Sequence, residues 1–519
     1  MKKIFLVLLL LFFSNLIYAQ ISVEYFGGAG RVSGSCALLK TEDQSIIIDC
    51  GSFYDEGNLK TENSFIDKKL INADAMILTH AHNDHSGRIP QLISEGFSGN
   101  IYCTDATKKI VFEVYNDGYN YEDVKKKYYW SKSKQDKIKL YEQKQSLTLH
   151  WHKECRNVVK NIQQNKEPIS IKNLENKYKI KMKICKKCLE KDLENMKKQF
   201  VSINLKENID LTDNINFSLY DAGHITGSAS VVFNIYDEKK IKTVAFSGDL
   251  GSGYSKITPN KDIIPKVDYV FVETTYGGAK KNVSELDYEK FQKTIANALK
   301  KNKIVWIPAL SLHRTQKILY EIKQAQINGL IDDEVAVYSL SPSSNGITKL
   351  YESEATSYFK NSWFKDEVYQ VGSFLPTNYI TKKPKEFICP SIVISASGMM
   401  DQGVSLSLVN KLLPLKNVEV CLVSYASPKT PAGKLKKGAG IIRTKYGSTK
   451  VLAKVNIFDI FSDHPDIDEL MHWLSKQDYT TTIYLVHGES DILKKSQILY
   501  KQKGFPKTNI AIKGINVLN

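Results

Sequence analysis

Cysteine is scarce in this sequence, and long apolar runs are absent after its first twenty residues. Eight cysteines among 519 residues are too few for a disulfide scaffold, which excludes the small, disulfide-rich secreted classes. No segment after residue 20 approaches 18 consecutive apolar residues, so we expect no stable membrane span in the mature chain. Because 42% of the residues are hydrophobic and 25% are charged, disorder is not indicated.

Acidic residues are also in deficit. The chain has 72 Lys and Arg against 56 Asp and Glu, a net charge of +16, which weakly favours a polyanionic partner such as nucleic acid or an anionic surface. Most of the excess is lysine spread along the chain, and a solvated lysine-rich surface explains it about as well.

The N-terminus has the three parts of a secretory signal peptide. Lys2 and Lys3 precede an apolar run over residues 4–13, and the small residue Ala19 marks a cleavage point. We therefore expect residues 1–19 to be removed and the protein to be exported, to the periplasm or outside the cell. An uncleaved N-terminal membrane anchor is the alternative.

Only ten histidines occur in the chain, and three of them lie together. The apolar run Ala75–Leu78 predicts a buried strand that leads into His80, His82, Asp84 and His85. Alternate residues of an extended segment point the same way, so His80 and His82 can share one metal ion while Asp84 and His85 face a second. Imidazole and carboxylate are ligands suited to zinc. We expect hydrolytic metal chemistry.

Other metal-competent residues follow further apolar runs. A two-layer sheet sandwich assembles a site along one edge when successive strands each end in a ligand. Strands are predicted at Ser22–Phe26, Ser45–Ile48, Ala75–Leu78, Ala229–Ile235, Thr243–Phe246 and Thr482–Val486. The polar residues are Asp49 after Ile46–Ile48, His224 after residues 219–223, Asp249 after residues 245–248 and His487 after Thr482–Val486.

These motifs, in this order, resemble those of the metallo-β-lactamase superfamily. The resemblance rests on the glycine-rich segment Gly27–Ser35, Asp49, the His80–His85 cluster, His224 and Asp249. Later segments resemble the β-CASP subgroup, which processes nucleic acids. They are residues 272–277 with Glu273, 307–316 with Arg314, 395–400, 461–464 with His464, and 485–489 with His487.

The resemblance implies an α/β fold, an αββα metallo-β-lactamase sandwich with an inserted β-CASP α/β domain. The expected domain boundaries are 20–278 for the first part of the sandwich, 279–434 for the insert and 435–519 for the second part. A strand at Lys303–Ile307 followed by a helix at Thr315–Gln324 suits that insert. A lysine-rich segment at about residues 131–195 interrupts the first part.

The resemblance also implies the ligand set of two zinc ions. One ion is expected on His80, His82 and His224, the other on Asp84, His85 and His487, with Asp249 between them and Asp49 orienting a ligand and the bridging water. Two such ions about 4 Å apart make water acidic enough to attack at neutral pH and clamp the phosphoryl oxygens.

Glu273 and His464 are expected to supply the proton for the leaving oxygen, because the family places an acid and a histidine at these positions. The motif around His464 departs from the family pattern. The family often reads Ser-Ala-His-Ala-Asp, whereas this chain has an acid, Asp463, before His464. That acid is expected to strengthen retention of the proton on His464 or to disturb phosphate binding.

RNA is the expected substrate, because RNA-acting β-CASP proteins carry histidine at the position of His487. The resemblance also points to substrate contacts, namely Arg314, Ser397, Gly398, Lys429 and Lys434. Lysines supply phosphate contacts and glycine permits close backbone approach, but solvated surface lysines are the alternative.

A second zinc site is predicted between residues 150 and 190. Its ligands are His152, Cys155, Cys185 and Cys188, whose spacing fits a structural zinc knuckle. A disulfide between Cys185 and Cys188 is the alternative in an oxidising compartment. Four further cysteines lie in apolar runs and are expected to be buried hydrophobes: Cys36, Cys50, Cys103 and Cys421.

The sequence therefore predicts a zinc-dependent ribonuclease that hydrolyses RNA phosphodiester bonds. The alternatives are a DNA nuclease of the same fold, a small-molecule metallo-hydrolase such as a lactamase or thioesterase, and a binding protein that keeps its zinc. The expected partner is an RNA substrate, and a homodimer is compatible with the sequence.

Overall fold

A computed structural model describes residues 21–54, 62–63, 65–118, 193–237, 240–253, 255–280, 283–353 and 375–518. The predicted signal peptide and most of the predicted insert at 131–195 lie outside these ranges. So do the four predicted ligands of the zinc knuckle, His152, Cys155, Cys185 and Cys188. The signal peptide and the second zinc site therefore stay predictions.

The first sheet joins the two ends of the described chain. Its strands are β1 (Ser22–Gly27), β2 (Cys36–Lys40), β3 (Ser45–Ile48), β4 (Ala75–Ile77), β5 (Asn100–Cys103), β6 (Phe200–Ser202) and β22 (Gly514–Val517). Their order is β22-β1-β2-β3-β4-β5-β6. Strands β3 to β6 run parallel, so their carboxyl ends meet at one edge.

The second sheet packs face to face on the first. Its strands are β7 (Ile209–Thr212), β8 (Ile215–Asp221), β9 (Ala229–Asp237), β10 (Lys240–Phe246), β11 (Tyr269–Glu273), β20 (Thr482–Val486) and β21 (Thr508–Ile510), in the order β21-β20-β11-β10-β9-β8-β7. Tyr25 of β1 contacts Phe271 of β11 at 5.7 Å between ring centroids. Apolar side chains of both sheets form one shared core, which is the predicted sandwich.

Helices pack on the faces of these two sheets and in the inserted unit described below. They are α1 (Lys68–Ile71), α2 (Asn83–Ser86), α3 (Ile89–Ser94), α4 (Asp105–Gly118), α5 (Glu285–Lys300), α6 (Arg314–Ile327), α7 (Pro342–Ser353), α8 (Gly403–Leu412), α9 (Pro431–Lys436), α10 (Ile467–Trp473) and α11 (Ser490–Gln502). Helices α1, α3 and α4 bury apolar residues against the first sheet. Helices α10 and α11 do the same against the second, with Trp473 and Tyr500 fully buried.

A third sheet forms the core of the inserted unit. Its strands are β12 (Ile304–Pro308), β13 (Ala336–Ser339), β14 (Tyr379–Ile380), β15 (Ser391–Ser395), β16 (Val418–Leu422) and β19 (Lys454–Ile457), in the order β14-β13-β15-β12-β16-β19. All its described pairs are parallel. Every residue of β12 is buried, as expected for a sheet covered on both faces. The predicted strand and helix at 303–324 are confirmed as β12 and α6.

A two-stranded hairpin lies beside the third sheet, near the predicted end of the inserted unit. The hairpin consists of β17 (Ile441–Thr444) and β18 (Gly447–Lys450) and lies outside the three sheets. The predicted boundary at residue 434 falls between β16 and β19, so the third sheet continues past it. The boundaries stay predictions.

Neither a membrane-spanning helix nor a disulfide is found in the described ranges. Within the ranges given above, no helix is both long enough and apolar enough to cross a bilayer. Cys36, Cys50, Cys103 and Cys421 are buried free thiols, which confirms their predicted role as small core residues.

Candidate metal centre

Six strand ends bring the predicted metal ligands, orienting carboxylate Asp49 and catalytic acid Glu273 to one edge of the sandwich. Asp49 follows β3, the His80–His85 segment follows β4, His224 lies between β8 and β9, Asp249 follows β10, Glu273 ends β11 and His487 follows β20. Asp49 and His487 have φ angles of 60° and 50°. This left-handed backbone is uncommon for residues other than glycine, and it turns both side chains at the strand end into the site.

The first cluster contains three histidines and one carboxylate. Nδ1 of His82 lies 3.1 Å from Nε2 of His80 and 3.2 Å from Nε2 of His224. Oδ2 of Asp249 lies 3.7 Å from Nε2 of both His80 and His224. Four donor atoms therefore surround one point, with three of the four residues buried.

The second cluster contains two histidines and two carboxylates. Nε2 of His85 lies 3.3 Å from Nε2 of His487 and 3.2 Å from Oδ1 of Asp249. Oδ2 of Asp84 lies 3.5 Å from Nε2 of His487. All four residues are buried. Asp249 thus gives one oxygen to each cluster.

The donor spacing fits two cations. Ligand atoms at about 2.0–2.1 Å from a tetrahedral Zn²⁺ lie about 3.3 Å apart, and most donor distances in both clusters fall close to this value. Nε2 of His85 and Nδ1 of His487 lie 3.2 and 3.4 Å from the buried Oδ1 of Asp249, but among the described residues neither makes a hydrogen bond with it in good geometry. An unsatisfied buried carboxylate oxygen is costly, and a cation in the second cluster would satisfy it.

The protonation states of the first cluster suit a cation. Burial lowers the pKa of His80 well below its ordinary value and lowers the pKa of His82 to about 3. Burial also lowers the pKa of His224. These imidazoles are neutral at pH 7, which is the form that donates a lone pair to a metal.

The second cluster holds a strong charge pair. Burial disfavours the ionised form of Asp249, but His487 and His85 outweigh it and hold the pKa of this carboxyl well below its usual range. Burial likewise disfavours the charged imidazole of His85, but Asp249 and Asp49 outweigh it and raise its pKa well above the ordinary value. A proton on His85 offsets the carboxylates where a cation would do so, so metal binding at this cluster releases a proton.

Asp49 and Thr79 orient the ligands from behind. Oδ2 of Asp49 lies 2.7 Å from Nδ1 of His85, which leaves Nε2 of His85 facing the second cluster. Thr79 donates both its backbone N–H and its hydroxyl to Asp49, each at 2.7 Å. Outer hydrogen bonds of this kind fix the tautomer and the ring orientation of a metal ligand.

Glu273 and His464 form a pair beside the clusters. Nδ1 of His464 lies 3.0 Å from Oε1 of Glu273, and Leu250 donates its N–H to the same oxygen at 2.8 Å. Glu273 is buried, whereas the His464 side chain is 20% exposed. The pair presents a histidine to solvent with its carboxylate partner held rigidly behind it.

Asp463 is directed away from solvent, into the inserted unit. Its carboxylate pairs with Nζ of Lys317 and lies 3.4 Å from a guanidinium nitrogen of Arg314. Burial disfavours ionisation of Asp463, but the charges of Lys317, His313 and Arg314 outweigh it, and the pKa of this carboxyl lies well below its usual range. Its backbone oxygen lies 3.4 Å from Nδ1 of His224. Asp463 therefore connects helix α6 with the metal ligand His224. We call Asp463, Lys317 and Arg314 together the α6 clasp.

The clasp predicts coupled effects on stability and metal binding. Asp463→Ala leaves two buried cations without their carboxylate, and breaking a buried pair costs roughly 3–5 kcal/mol. We expect a lower thermal midpoint. Because the clasp also holds the backbone carbonyl of residue 463 near His224, we expect metal binding to weaken about 10- to 100-fold. Asp459→Ala, which removes an exposed acid of the same segment, is the control. Unchanged metal affinity in Asp463→Ala, measured by competition with a chelating dye, would contradict the coupling.

The predicted substrate residues differ in how far they are buried and in the contacts they make. Arg314 is buried and donates to the Val423 carbonyl at 2.7 Å besides contacting Asp463. Ser397 donates its hydroxyl to Asp401, and a Cβ added at Gly398 would lie 2.7 Å from Oγ of Ser424. Lys429 and Lys434 are exposed. Their substrate roles stay predictions, although the contacts of Arg314 already explain why it is charged.

Two residues that contact the predicted site, Tyr54 and Thr79, were not predicted from the sequence. Tyr54 donates its phenol hydrogen to Oδ2 of Asp84 at 3.0 Å, and Thr79 supports Asp49. Thr79 directly precedes His80, so its position was a usable signal. Tyr54 reaches Asp84 only through the tertiary fold.

Three family models match the chain. The Metallo-beta-lactamase superfamily model matches residues 29–151, the Beta-Casp domain model residues 315–435, and the Zn-dependent metallo-hydrolase RNA specificity domain model residues 448–507. Together they contain Asp49, the His80–His85 cluster, His464 and His487, whereas His224, Asp249 and Glu273 lie between the matched ranges.

Curated relatives span nearly the same length. The chain is 26% identical over 482 residues to an RNase J-like protein of Methanocaldococcus jannaschii, covering 91% of this chain and 93% of that protein. It is 24% identical to a ribonuclease of Thermus thermophilus, covering 90% and 93%. It is 25% identical to transcription termination factor FttA of Methanosarcina mazei, covering 90% of this chain and 67% of that protein.

Proposed function

The chain belongs to the β-CASP subgroup of the metallo-β-lactamase superfamily, and from that premise we propose that it is a zinc-dependent ribonuclease. One observation carries the proposal. Asp249 gives one oxygen to each of two buried donor clusters, and the Glu273–His464 pair lies beside them. A binding protein that kept zinc only for structure would not need an acid–base pair next to two clusters.

The two clusters are proposed to hold one Zn²⁺ each, on the residues named above. When bound, such ions polarise a phosphodiester and make a water molecule nucleophilic at neutral pH. Histidine and carboxylate donors with tetrahedral spacing favour Zn²⁺, although Mn²⁺ also accepts this donor set. Metal content of the purified protein distinguishes the two.

The chain's own residues position the ligands and move a proton. Asp49 holds His85 in one tautomer, and the Asp463 carbonyl does the same for His224. Because Nδ1 of His464 faces Glu273, proton donation to the leaving oxygen falls to Nε2. Glu273 stabilises the protonated imidazole that this step requires.

RNA is the proposed substrate. His487 lies in the second cluster, and the family resemblance implies histidine at this position in RNA-acting β-CASP proteins. The Zn-dependent metallo-hydrolase RNA specificity domain model covers residues 448–507 and so includes it. Two of the relatives named above are called ribonuclease or RNase J-like. A DNA nuclease of the same fold is the competitor that a substrate comparison removes.

The test is cleavage of end-labelled single-stranded RNA and of matching DNA by the purified protein with added zinc. We expect RNA to be cleaved in preference to DNA, and Asp84→Ala to abolish cleavage because the second cluster loses a ligand. The product ladder separates endonucleolytic from exonucleolytic action. Preference for DNA, or no cleavage of either polymer despite two bound zinc ions, would contradict the proposal.

We also propose that the protein is exported, which rests on the sequence of residues 1–19 alone. N-terminal sequencing of the native protein tests it, and a mature chain that begins near Gln20 is expected. Recovery of the unprocessed chain from the cytosol would exclude export. A homodimer stays a prediction that sedimentation analysis tests.

A further inference from the structure

We propose that the hairpin β17–β18 is a second RNA-binding surface, separate from the metal centre, that anchors single-stranded RNA by its phosphates and one stacked base. The proposal rests on the ribonuclease function proposed above and adds a place where a long substrate is held. Its outer residues are Ile441, Arg443, Lys445, Tyr446 and Lys450, which we name the hairpin patch.

The charge of this region is one-sided. Between Glu419 and Asp459 the sequence contains eight lysines and arginines and no acid. Two of these lysines are held in ion pairs, Lys436 with Asp459 and Lys454 with Glu419. Within the described chain, no ion pair forms at Arg443, Lys445 or Lys450. Their charges remain available to an anionic partner.

The strand register places the cations on one face. Ile442 and Thr449 are opposite one another and buried, so the residues that alternate with them point outward. Arg443 is opposite Ser448, which makes Lys450 its diagonal neighbour at about 7–8 Å. Both side chains therefore face the same partner.

An aromatic side chain in the turn and an apolar side chain of β17 are exposed beside these cations. Tyr446 is 56% and Ile441 61% exposed, and Nζ of Lys445 lies 5.3 Å from the centroid of the Tyr446 ring. An aromatic ring beside phosphate-binding cations is the arrangement that binds single-stranded nucleic acid by base stacking.

Like charges also accumulate next to the hairpin. Asn410 of α8 donates to the Tyr446 carbonyl at 2.9 Å, which fixes α8 against the turn. Burial lowers the pKa of Lys383, and the charge of Lys411, the residue after Asn410, lowers it further. Neighbouring cations repel one another, so a polyanion on this surface would relieve the repulsion.

The patch continues a path from the loop that contains the predicted substrate residues Ser397 and Gly398. The N–H of Ala432 in α9 bonds to the carbonyl of Met399, beside Gly398. Helix α9 has six residues and therefore spans about 9 Å, and its Leu435 packs in the same core as Ile442. RNA leaving that loop would meet the hairpin within a few nucleotides.

The test uses the full chain made cleavage-deficient by Asp84→Ala and measures fluorescence anisotropy with labelled RNA of about 6 and about 30 nucleotides. The hairpin variant is Arg443→Glu with Lys445→Glu and Lys450→Glu. Its matched control reverses three exposed lysines of α11, with Lys494→Glu, Lys495→Glu and Lys501→Glu. Tyr446→Ala tests stacking.

We expect the hairpin variant to lose affinity for the long RNA by about tenfold or more. The slope of the logarithm of the binding constant against the logarithm of the salt concentration should become shallower by about 2, because three phosphate contacts contribute about 0.7 each. The short RNA should lose less. Tyr446→Ala should weaken long-RNA binding about fivefold or more. The α11 control, with the same change in net charge, should retain most of the affinity.

Three outcomes would overturn the proposal: equal losses in the hairpin variant and the α11 control, equal losses on short and long RNA, or unchanged binding of both. Vesicles containing anionic lipid form a further arm, and hairpin-dependent binding to vesicles without an effect on RNA would assign the patch to a membrane surface instead. Cleavage of the short RNA by the unmodified chain reports the ribonuclease function separately, so a failure there is distinguishable from a failure of the hairpin.

Discussion

Asp249→Asn is expected to lower RNA cleavage by about 10³-fold or more, because two bound cations contribute several kcal/mol to such a reaction. Among the residues that the structure describes, Asp249 is the one that belongs to both clusters, with Oδ2 at the first and Oδ1 at the second. An amide has the same shape, but it carries no charge and presents only one oxygen. Both ions should therefore bind more weakly in this variant, whereas Asp84→Ala should weaken mainly the second.

The measurement pairs single-turnover cleavage with metal content by mass spectrometry. Asp213→Asn, an exposed acid in the turn between β7 and β8, is the control and should behave as the parent does. A variant that keeps two zinc ions and near-normal cleavage would show that Asp249 does not join the two clusters.

His464→Ala is expected to lower cleavage by about 10²- to 10⁴-fold, the usual contribution of a positioned acid–base group. The loss should appear in the cleavage step and leave metal content unchanged, because His464 faces Glu273. The effect should shrink for a substrate whose leaving oxygen is already acidic, such as a nitrophenyl phosphodiester, since that group needs no proton.

Glu273→Gln serves as the matched variant. It keeps the shape of the side chain but removes the charge that supports the imidazolium, so cleavage should fall by less than in His464→Ala. Asp249, Glu273 and His464 also have donor atoms within 4.8 Å of one another. Loss of a metal ion from His464→Ala would therefore contradict the acid–base role and make His464 a ligand.

The strands of the sandwich and the metal ligands could be predicted because both are local signals. Each predicted strand is a short apolar run, and the ligand is the polar residue at its end, so neither depends on distant parts of the chain. Ser45–Ile48 was predicted with its observed bounds, and Thr482–Val486 likewise. Motif order then indicated which strands share an edge.

The α6 clasp could not be predicted, because its members are distant in sequence. Lys317 and Asp463 are 146 positions apart, and nothing local to either residue shows that they are buried together. Asp463 was expected to act on His464 or on phosphate. Instead its carboxylate turns toward α6, while its backbone oxygen approaches His224. The contacts of Arg314 with Asp463 and Val423 could not be predicted either, because a sequence shows the charge of a side chain but not its direction. The substrate role of Arg314 stays a prediction.

The most direct test of the account is the origin of the new oxygen in the product. RNA cleaved in water enriched in ¹⁸O should carry one solvent oxygen on each newly formed terminal phosphate, because the metal centre is proposed to direct water at phosphorus. Matching DNA should be cleaved more slowly. A 2′,3′-cyclic phosphate without solvent oxygen would show attack by the ribose hydroxyl instead and would contradict hydrolysis at this centre.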